Sequence, residues 1–224
     1  MSSLFVSAAG TEIGKTFVAC ALLHQLRRQN RKLRALKPVI SGYDPREAAT
    51  SDSGLLLTAL GLDPTAEAVA QISPWRFKLP LSPHMAAKRE DRRVDLNPLL
   101  HFCKKALDDR ATFTLIEGVG GVMAPLNDDE TVIDWMAALK IPALLVGGSY
   151  LGAISHMLTA AETVQRRDIP LAGIVLSESP EQPVEMAETA ETIARFLPKV
   201  KVLTMPRLAR FTDAPDLTSL VEGL

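Results

Sequence analysis

The segment Gly10-Thr11-Glu12-Ile13-Gly14-Lys15-Thr16 constrains the fold of this chain more than any other. It follows a short apolar run typical of a buried strand and precedes a longer apolar run typical of a helix. In that context, successive backbone N–H groups and the positive N-terminus of the helix bind phosphate groups. Lys15 is then expected to contact the outer phosphates, and Thr16 to offer its hydroxyl to Mg²⁺. The usual pattern also has a glycine five residues before Gly14, where this chain has Ala9, so we expect Gly10 to make the turn.

Apolar runs alternate with helix-like stretches along the rest of the chain, which predicts a parallel sheet covered by helices on both faces. We therefore expect an α/β fold, a three-layer sandwich of the P-loop NTPase type. Its 224 residues fit a single domain over residues 1–224. The predicted strands are Leu4–Ala8, Leu33–Ile40, Phe113–Ile116, Ala143–Val146, Leu171–Leu176 and Val200–Met205. The predicted helices are Lys15–Gln29, Ser53–Leu60, Asn97–Asp108, Val132–Leu139, Gly152–Arg167 and Val184–Phe196.

The stretch from Asp63 to Asn97 is rich in proline and charge. We interpret it as an excursion with short helices and not as a domain boundary. Within it, Ser82-Pro83 is typical of an N-cap followed by proline at the first helical position.

Composition and charge exclude several classes of function. The net charge of −1 provides no field that would attract nucleic acid or an anionic membrane. No apolar run approaches the length of a membrane span, and the segment Met1 to Ser7 lacks the features of a signal peptide. The two cysteines, Cys20 and Cys103, show no paired spacing, and we expect both to be buried in a cytoplasmic protein.

Four further polar residues lie near the ends of predicted strands or in the loops after them, where ligands bind in open α/β sheets. Glu117 ends a strand and is followed by glycines, so it suits a divalent cation, which prefers oxygen ligands. Asp52 precedes a helix, where it is either a second metal ligand or a plain N-cap. Lys37 lies near Ser41 at the end of the second predicted strand, and its burial there would be costly unless it meets an anion. A lysine that extends to solvent from the sheet edge is the alternative.

Taken together, these motifs resemble the dethiobiotin synthetase family. The resemblance runs in family order over about four-fifths of the chain. It rests on Thr11 to Thr16, Lys37-Pro38-Val39 with Ser41-Gly42, Ser51-Asp52, Pro74-Trp75 with Phe77, Pro80 with Ser82-Pro83-His84, Glu117-Gly118 with Gly120-Gly121, Pro125-Leu126, Asp134-Trp135, Leu151-Gly152 with His156 and Leu158-Thr159, and Leu171-Ala172-Gly173.

The resemblance implies a homodimer that uses 7,8-diaminononanoate, CO₂ and ATP with Mg²⁺. One amine would capture CO₂ as a carbamate, ATP would phosphorylate it, and the second amine would close the ring. Dethiobiotin, ADP and phosphate would leave.

The resemblance also implies roles for individual residues. Lys37 and Lys15 would be catalytic, and Thr16, Asp52 and Glu117 would hold Mg²⁺. The diamine and its carbamate would bind at Lys37, Ser41, Gly152 and Ala153, the last two across the dimer interface. ATP would be bound by Glu12, Ile13, Gly14, Lys15, Thr16, Phe17, Asp52, Glu117, Gly118, Val119, Gly120, Ser177, Glu178, Pro206, Arg207 and Leu208.

The sequence departs from the family pattern at three places. Ala8 replaces the usual first glycine of the phosphate-binding loop, and Gly10 stands where aspartate is frequent. Ser177-Glu178 replaces the usual Asn-Asp pair beside the adenine. Because a serine hydroxyl cannot form the bidentate contact of an asparagine, we expect weak discrimination among nucleoside triphosphates.

Three other functions share the phosphate-binding loop. A partition-type ATPase switch carries an early signature lysine in the loop, and Gly10-Thr11-Glu12 lacks it. A larger amide-forming ligase carries a glutamine-hydrolysing domain, for which this chain is too short. A non-catalytic regulatory paralogue stays an alternative that only an assay separates.

Overall fold

The computed structural model describes residues 3–224; Met1 and Ser2, where the N-terminal segment considered above begins, lie outside the described residues. Six parallel strands form the main sheet in the order β2-β5-β1-β6-β7-β8. Their bounds are β1 Ser3–Ala8, β2 Leu33–Leu36, β5 Phe113–Glu117, β6 Ala143–Gly147, β7 Leu171–Ser177 and β8 Val202–Met205. A separate two-stranded parallel sheet pairs β3 Val39–Ser41 with β4 Trp75–Phe77.

Eight α-helices accompany these strands in the described part of the chain: α1 Lys15–Arg28, α2 Asp52–Leu60, α3 Ala66–Ile72, α4 Pro83–Lys88, α5 Leu96–Leu107, α6 Val132–Leu139, α7 Ala153–Gln165 and α8 Met186–Phe196. Short 3₁₀ turns add Pro45–Thr50, Phe211–Asp213 and Thr218–Leu220.

The sheet lies between two apolar layers, as alternate side chains of its strands show. Leu4 and Val6 of β1 pack in one cluster with α1 and α2, whereas Phe5 packs in the other with residues of α5, α6, α7 and α8. Successive strand residues point to opposite faces, so burying both faces requires apolar residues at every position. All six residues of β1 are buried, and four of them are apolar, with Ser3 and Ser7 as the exceptions. The predicted three-layer α/β fold is confirmed.

The prediction of one strand over Leu33–Ile40 is wrong, because the chain leaves the main sheet at Lys37-Pro38. Pro38 has no N–H to donate to a ladder, and it restricts the backbone of the residue before it. The Lys37 amide instead donates to Ile72 O (3.2 Å), and Pro38 O accepts from the Trp75 amide (3.0 Å). The continuation, β3, therefore pairs with β4, and Lys37 lies at the junction of the two sheets.

The proline-rich excursion contains α3, β4 and α4, and the helix predicted to start at Ser82-Pro83 is confirmed as α4. Ser82 is its N-cap by position, although its hydroxyl contacts His84 Nδ1 (3.2 Å) and caps no backbone amide. Between residues 3 and 224, no helix has both the length and the apolar character needed to traverse a bilayer.

Candidate active site

The site lies at the carboxyl ends of three adjacent strands. β1 and β5 are neighbours, but the helices that follow them, α1 and α6, belong to opposite apolar layers. The two chain directions diverge there and leave a crevice, which is where open α/β sheets bind ligands. The Gly118 amide donates to Val6 O (2.9 Å) and so holds the end of β5 against β1. β2, on the other side of β5, delivers Lys37 to the same edge.

The left-handed residues of the phosphate-binding loop do not include Gly10, the residue predicted to make the turn. Left-handed backbone occurs at Glu12 (φ 58°) and at Gly14 (φ 89°), the N-cap of α1, whereas Gly10 has no positive φ. A Cβ added at Gly10 would meet only Ile13 Cδ1, at 3.9 Å, so this position accepts a side chain. At Gly14 an added Cβ would lie 2.7 Å from Ser177 Oγ. Gly14, and not Gly10, is therefore the glycine that the loop requires.

Lys15 begins α1 and is buried, with Nζ 3.5 Å from Gly10 O. Burial, and next the nearby charge of Lys37, lower the pKa of Lys15 from 10.5 to about 8. Within residues 3–224 Lys15 forms no salt bridge, and a lysine so placed, facing a cavity beside a helix N-terminus, is suited to an anion. Phosphate oxygens would supply the missing negative charge.

Lys37, Glu117 and Asp52 form a buried charge cluster. Lys37 is 2% exposed and Glu117 is fully buried. Lys37 Nζ lies 2.6 Å from Glu117 Oε1, 3.2 Å from Asp52 Oδ2 and 3.1 Å from Gly118 O. Burial opposes the charge of Lys37, but the two carboxylates outweigh it and raise the pKa of Lys37 above its ordinary value. The lysine does meet an anion at the strand end, and the anion is supplied by the protein itself.

Asp52 is not the N-cap of α2. Ser51 holds that position, and its hydroxyl accepts from the Gly54 amide (3.1 Å), which leaves the carboxylate of Asp52 for the site. Burial would raise the pKa of Asp52, but the charge of Lys37 and the hydrogen bond from Lys37 outweigh it, and the pKa of Asp52 lies below its ordinary value.

The oxygen atoms around Thr16 fit a divalent cation bound together with phosphates. The Thr16 hydroxyl donates to Glu117 Oε1 (2.7 Å). Glu117 Oε2 is buried and has no hydrogen-bond partner among residues 3–224. Asp52 adds a second carboxylate. Residues 3–224 contain no group of three or more His, Cys, Asp or Glu side chains that could hold a metal ion by themselves. A hydroxyl and two carboxylates match Mg²⁺, which usually takes few protein ligands and completes its shell with phosphate and water.

A cavity of about 630 Å³ opens over this cluster. It brings together most of the residues predicted around the phosphates and the carbamate: Glu12, Ile13, Gly14, Lys15, Thr16, Phe17, Lys37, Ser41, Asp52, Val119 and Gly120. Glu117 and Gly118 are buried behind it. The cavity is also lined by residues that were not predicted for the site: Thr11, Ile40, Ala124 and Pro80 to Pro83. The Ser82-Pro83-His84 motif was the available signal for the last of these.

A second cavity, of about 350 Å³, shares Glu12, Ile13, Gly14 and Phe17 with the first. Its remaining walls are Ser177 to Pro180 and Pro206 to Leu208. The structure thus places the residues predicted around the adenine together, on the other side of the phosphate-binding loop.

Gly152 and Ala153 do not line either cavity. They line a third one, of about 720 Å³, between the start of α7 and the segment that leads into α8. Leu151 lies beside it and is 85% exposed. Within one chain these two residues are therefore not part of the site around Lys37.

Comparison with known proteins agrees with this geometry. The family model described as an AAA domain matches residues 2–219. Two solved structures, the MinD cell division protein of Aquifex aeolicus and a ParA family ATPase of Chlorobium tepidum, superpose with TM-scores of 0.55 and 0.54. They are 12% and 13% identical, and the matches cover 100% of this chain and 91% and 90% of theirs. At that identity they show a shared fold only.

Curated relatives are far more similar. The ATP-dependent dethiobiotin synthetase BioD of Methylobacterium nodulans is 49% identical over 92% of this chain and 94% of its own length. The proteins of the same name from Acidiphilium cryptum and Caulobacter vibrioides are 47% and 42% identical, over 88% and 99% of this chain and 89% and 99% of their own lengths. The chain therefore belongs to the ATP-dependent dethiobiotin synthetase family.

Proposed function

We propose that this chain closes the ring of dethiobiotin from 7,8-diaminononanoate, CO₂ and ATP, with release of ADP and phosphate. The observation that supports it most is the position of Lys37, a buried cation beside Ser41 in the same cavity as the phosphate-binding loop. That position suits a site where an anion made from the second substrate meets the triphosphate.

In this proposal one amine of the diamine attacks CO₂ and loses a proton, which gives a carbamate. The charge of Lys37 and the hydroxyl of Ser41 hold the carbamate in the cavity. The carbamate oxygen attacks the γ-phosphorus, and Lys15 stabilises the charge that develops on the transferred group and on ADP. The second amine then attacks the carbamoyl carbon and expels phosphate, which closes the ring.

Thr16, Asp52 and Glu117 would hold Mg²⁺, which when bound neutralises charge on the β- and γ-phosphates. We infer that Lys37 and Mg²⁺ share the carboxylates. Lys37 and Thr16 contact Glu117 Oε1, and Oε2 keeps its capacity to accept.

The function is tested by incubating the protein with ATP, Mg²⁺, bicarbonate and the diamine, and identifying the product by mass spectrometry. The expected product is dethiobiotin, with one ADP formed for each ring closed. ATP hydrolysis that does not depend on the diamine would favour the ATPase switch. Absence of any turnover would favour the non-catalytic paralogue.

We also propose that the enzyme is a cytoplasmic homodimer in which the start of α7 serves the site of the partner subunit. The backbone N–H groups that follow Gly152 at the N-terminus of α7 suit the distant carboxylate of the diamine. They lie outside the main cavity of their own chain, and the adjacent Leu151 is exposed. Light scattering of the native protein and of Leu151→Asp tests this. A native monomer, or a Leu151→Asp variant that stays dimeric and fully active, would contradict it.

A further inference from the structure

The cavity beside the phosphate-binding loop has a carboxylate of fixed orientation in its wall. It continues from the loop through Glu12, Gly14 and Phe17, and Glu178 lines it at the end of β7. A triphosphate on the loop would place its nucleoside in this cavity, a placement that rests on the proposed use of ATP. The polar groups of this wall then decide which bases fit.

Ser177 is poorly placed to recognise a base. Its side chain packs against the loop, since a Cβ added at Gly14 would lie 2.7 Å from Ser177 Oγ and 3.2 Å from Ser177 Cβ. The hydroxyl is short and lies against the backbone of Gly14. Recognition therefore passes to the next residue, whose side chain is longer.

Glu178 is anchored at two points and keeps one oxygen available. Its amide donates to Met205 O (2.9 Å), and its Oε2 accepts from the Arg207 amide (2.7 Å). Oε1 has only a long contact from Gln182 Nε2, at 3.5 Å. An ionised carboxylate accepts hydrogen bonds and donates none. The wall of the cavity thus presents an acceptor held by the backbone of β8 and of the loop after it.

We propose that Glu178 selects nucleotides whose base carries an amino group at purine C6 or pyrimidine C4, and rejects those with an oxo group there. Adenine and cytosine present an N–H donor at that position, whereas guanine and thymine-type bases present an oxygen acceptor. The amine donates to Oε1, but an oxo group places two acceptors together with no hydrogen between them, which is costly in a partly buried site. The presence of Ser177 predicted weak discrimination among all nucleoside triphosphates. With Glu178 in this role, discrimination is weak only between adenine and cytosine nucleotides, and nucleotides with oxo bases are rejected.

Two nucleotide pairs test this, because each exchanges amino for oxo at one ring position. The kcat/KM ratios of ATP over inosine triphosphate and of CTP over UTP should each be about tenfold or more in the native enzyme, the usual effect of one good base contact. Glu178→Gln should bring both ratios below one, since the amide oxygen stays on the Arg207 amide and the NH₂ group then faces the base, where it donates to an oxo group and cannot accept from an amine. Its oxygen can still accept from the Arg207 amide, so we expect the fold to be retained.

Glu181→Gln is the matched control, because Glu181 is exposed and does not line the cavity, and it should leave both ratios unchanged. If the protein turns over no nucleotide, the proposed function fails, but the same comparison is made by calorimetry with ADP and inosine diphosphate. Equal use or binding of amino and oxo bases by the native protein would overturn the role of Glu178. So would ratios that Glu178→Gln leaves unaltered.

Discussion

Replacing Lys37 by methionine should separate the structural and catalytic roles of the charge cluster. Met keeps the apolar stem and deletes the ammonium, which leaves Glu117 buried and without its cation at 2.6 Å. Removing one partner of a buried pair costs about 3–5 kcal/mol, and in a chain of this size that corresponds to a fall in Tm of roughly 6–20 °C. The contact between Lys37 and Asp52 adds little to this cost, because the Asp52 side chain is 46% exposed and solvated. Turnover with the diamine and CO₂ should be lost, while affinity for an ATP analogue is retained.

The assay is urea unfolding in EDTA, followed by calorimetry with the analogue. Lys37→Met/Glu117→Gln should recover most of the lost stability, because it removes the uncompensated charge, and Lys104→Met, at an exposed helix position, should behave as native. Since the folded-state pKa of Lys37 is raised, the contribution of its charge is fully present below about pH 10.5 and lost as the pH rises through the folded value. The difference between native and variant should therefore be the same at pH 7 and pH 9. A Lys37→Met protein as stable as native, or a double variant no better than the single one, would refute the reasoning.

Three further variants test the phosphate and metal assignments. Lys15→Ala should stay folded and lose about a hundredfold or more in kcat, since a transition-state charge contact contributes a few kcal/mol; near-native turnover would contradict its role. Glu117→Gln should raise the Mg²⁺ concentration for half-maximal rate at saturating diamine, and an unchanged value would show that Glu117 is no metal ligand. Gly14→Ala combines a φ of 89° with a contact of 2.7 Å to Ser177 Oγ, so it should cost about 1–2 kcal/mol of stability from the backbone alone. Adding Ser177→Gly should relieve the contact with Ser177 but not that backbone cost, and full recovery of stability would show that the clash alone is responsible.

The fold was predictable because its signals are local and repeat. The strands of the main sheet lie in short, mainly apolar stretches, the pattern typical of a parallel sheet that helices cover on both faces. The prediction failed at Lys37-Pro38, where an apolar run continues across a break in the ladder. The pairing of β3 with β4 joins residues far apart in the chain, and periodicity contains no information about such partners. Pro38 was the visible signal of this break. It has no N–H to donate to a neighbouring strand, and it restricts the backbone of the residue before it.

The site was predictable to the extent that its residues follow strands. Because parallel strands end at the same edge of a sheet, the loop after β1, Glu117 at the end of β5 and Lys37 after β2 had to converge once the strand order was known. Their mutual contacts were not predictable. The sequence suggested that Lys37 would meet an anionic ligand, and the structure pairs it with Glu117 and Asp52. Nothing in the order of residues distinguishes a carboxylate supplied by a substrate from one supplied by a neighbouring strand.

The pairing of Lys37 with the proposed metal ligands has a consequence for the order of binding. Without a cation, the buried Glu117 relies on the Lys37 ammonium, and the stability of the apo site depends on that contact. In the proposed reaction, a divalent ion bound with the nucleotide would add positive charge beside the same carboxylates and weaken the hold of Glu117 and Asp52 on the lysine. The ammonium would then interact more strongly with an anion in the cavity, which in this proposal is the carbamate. We therefore expect the nucleotide and its metal to bind before the carbamate is held, so that the lysine which stabilises the empty protein would later stabilise the intermediate.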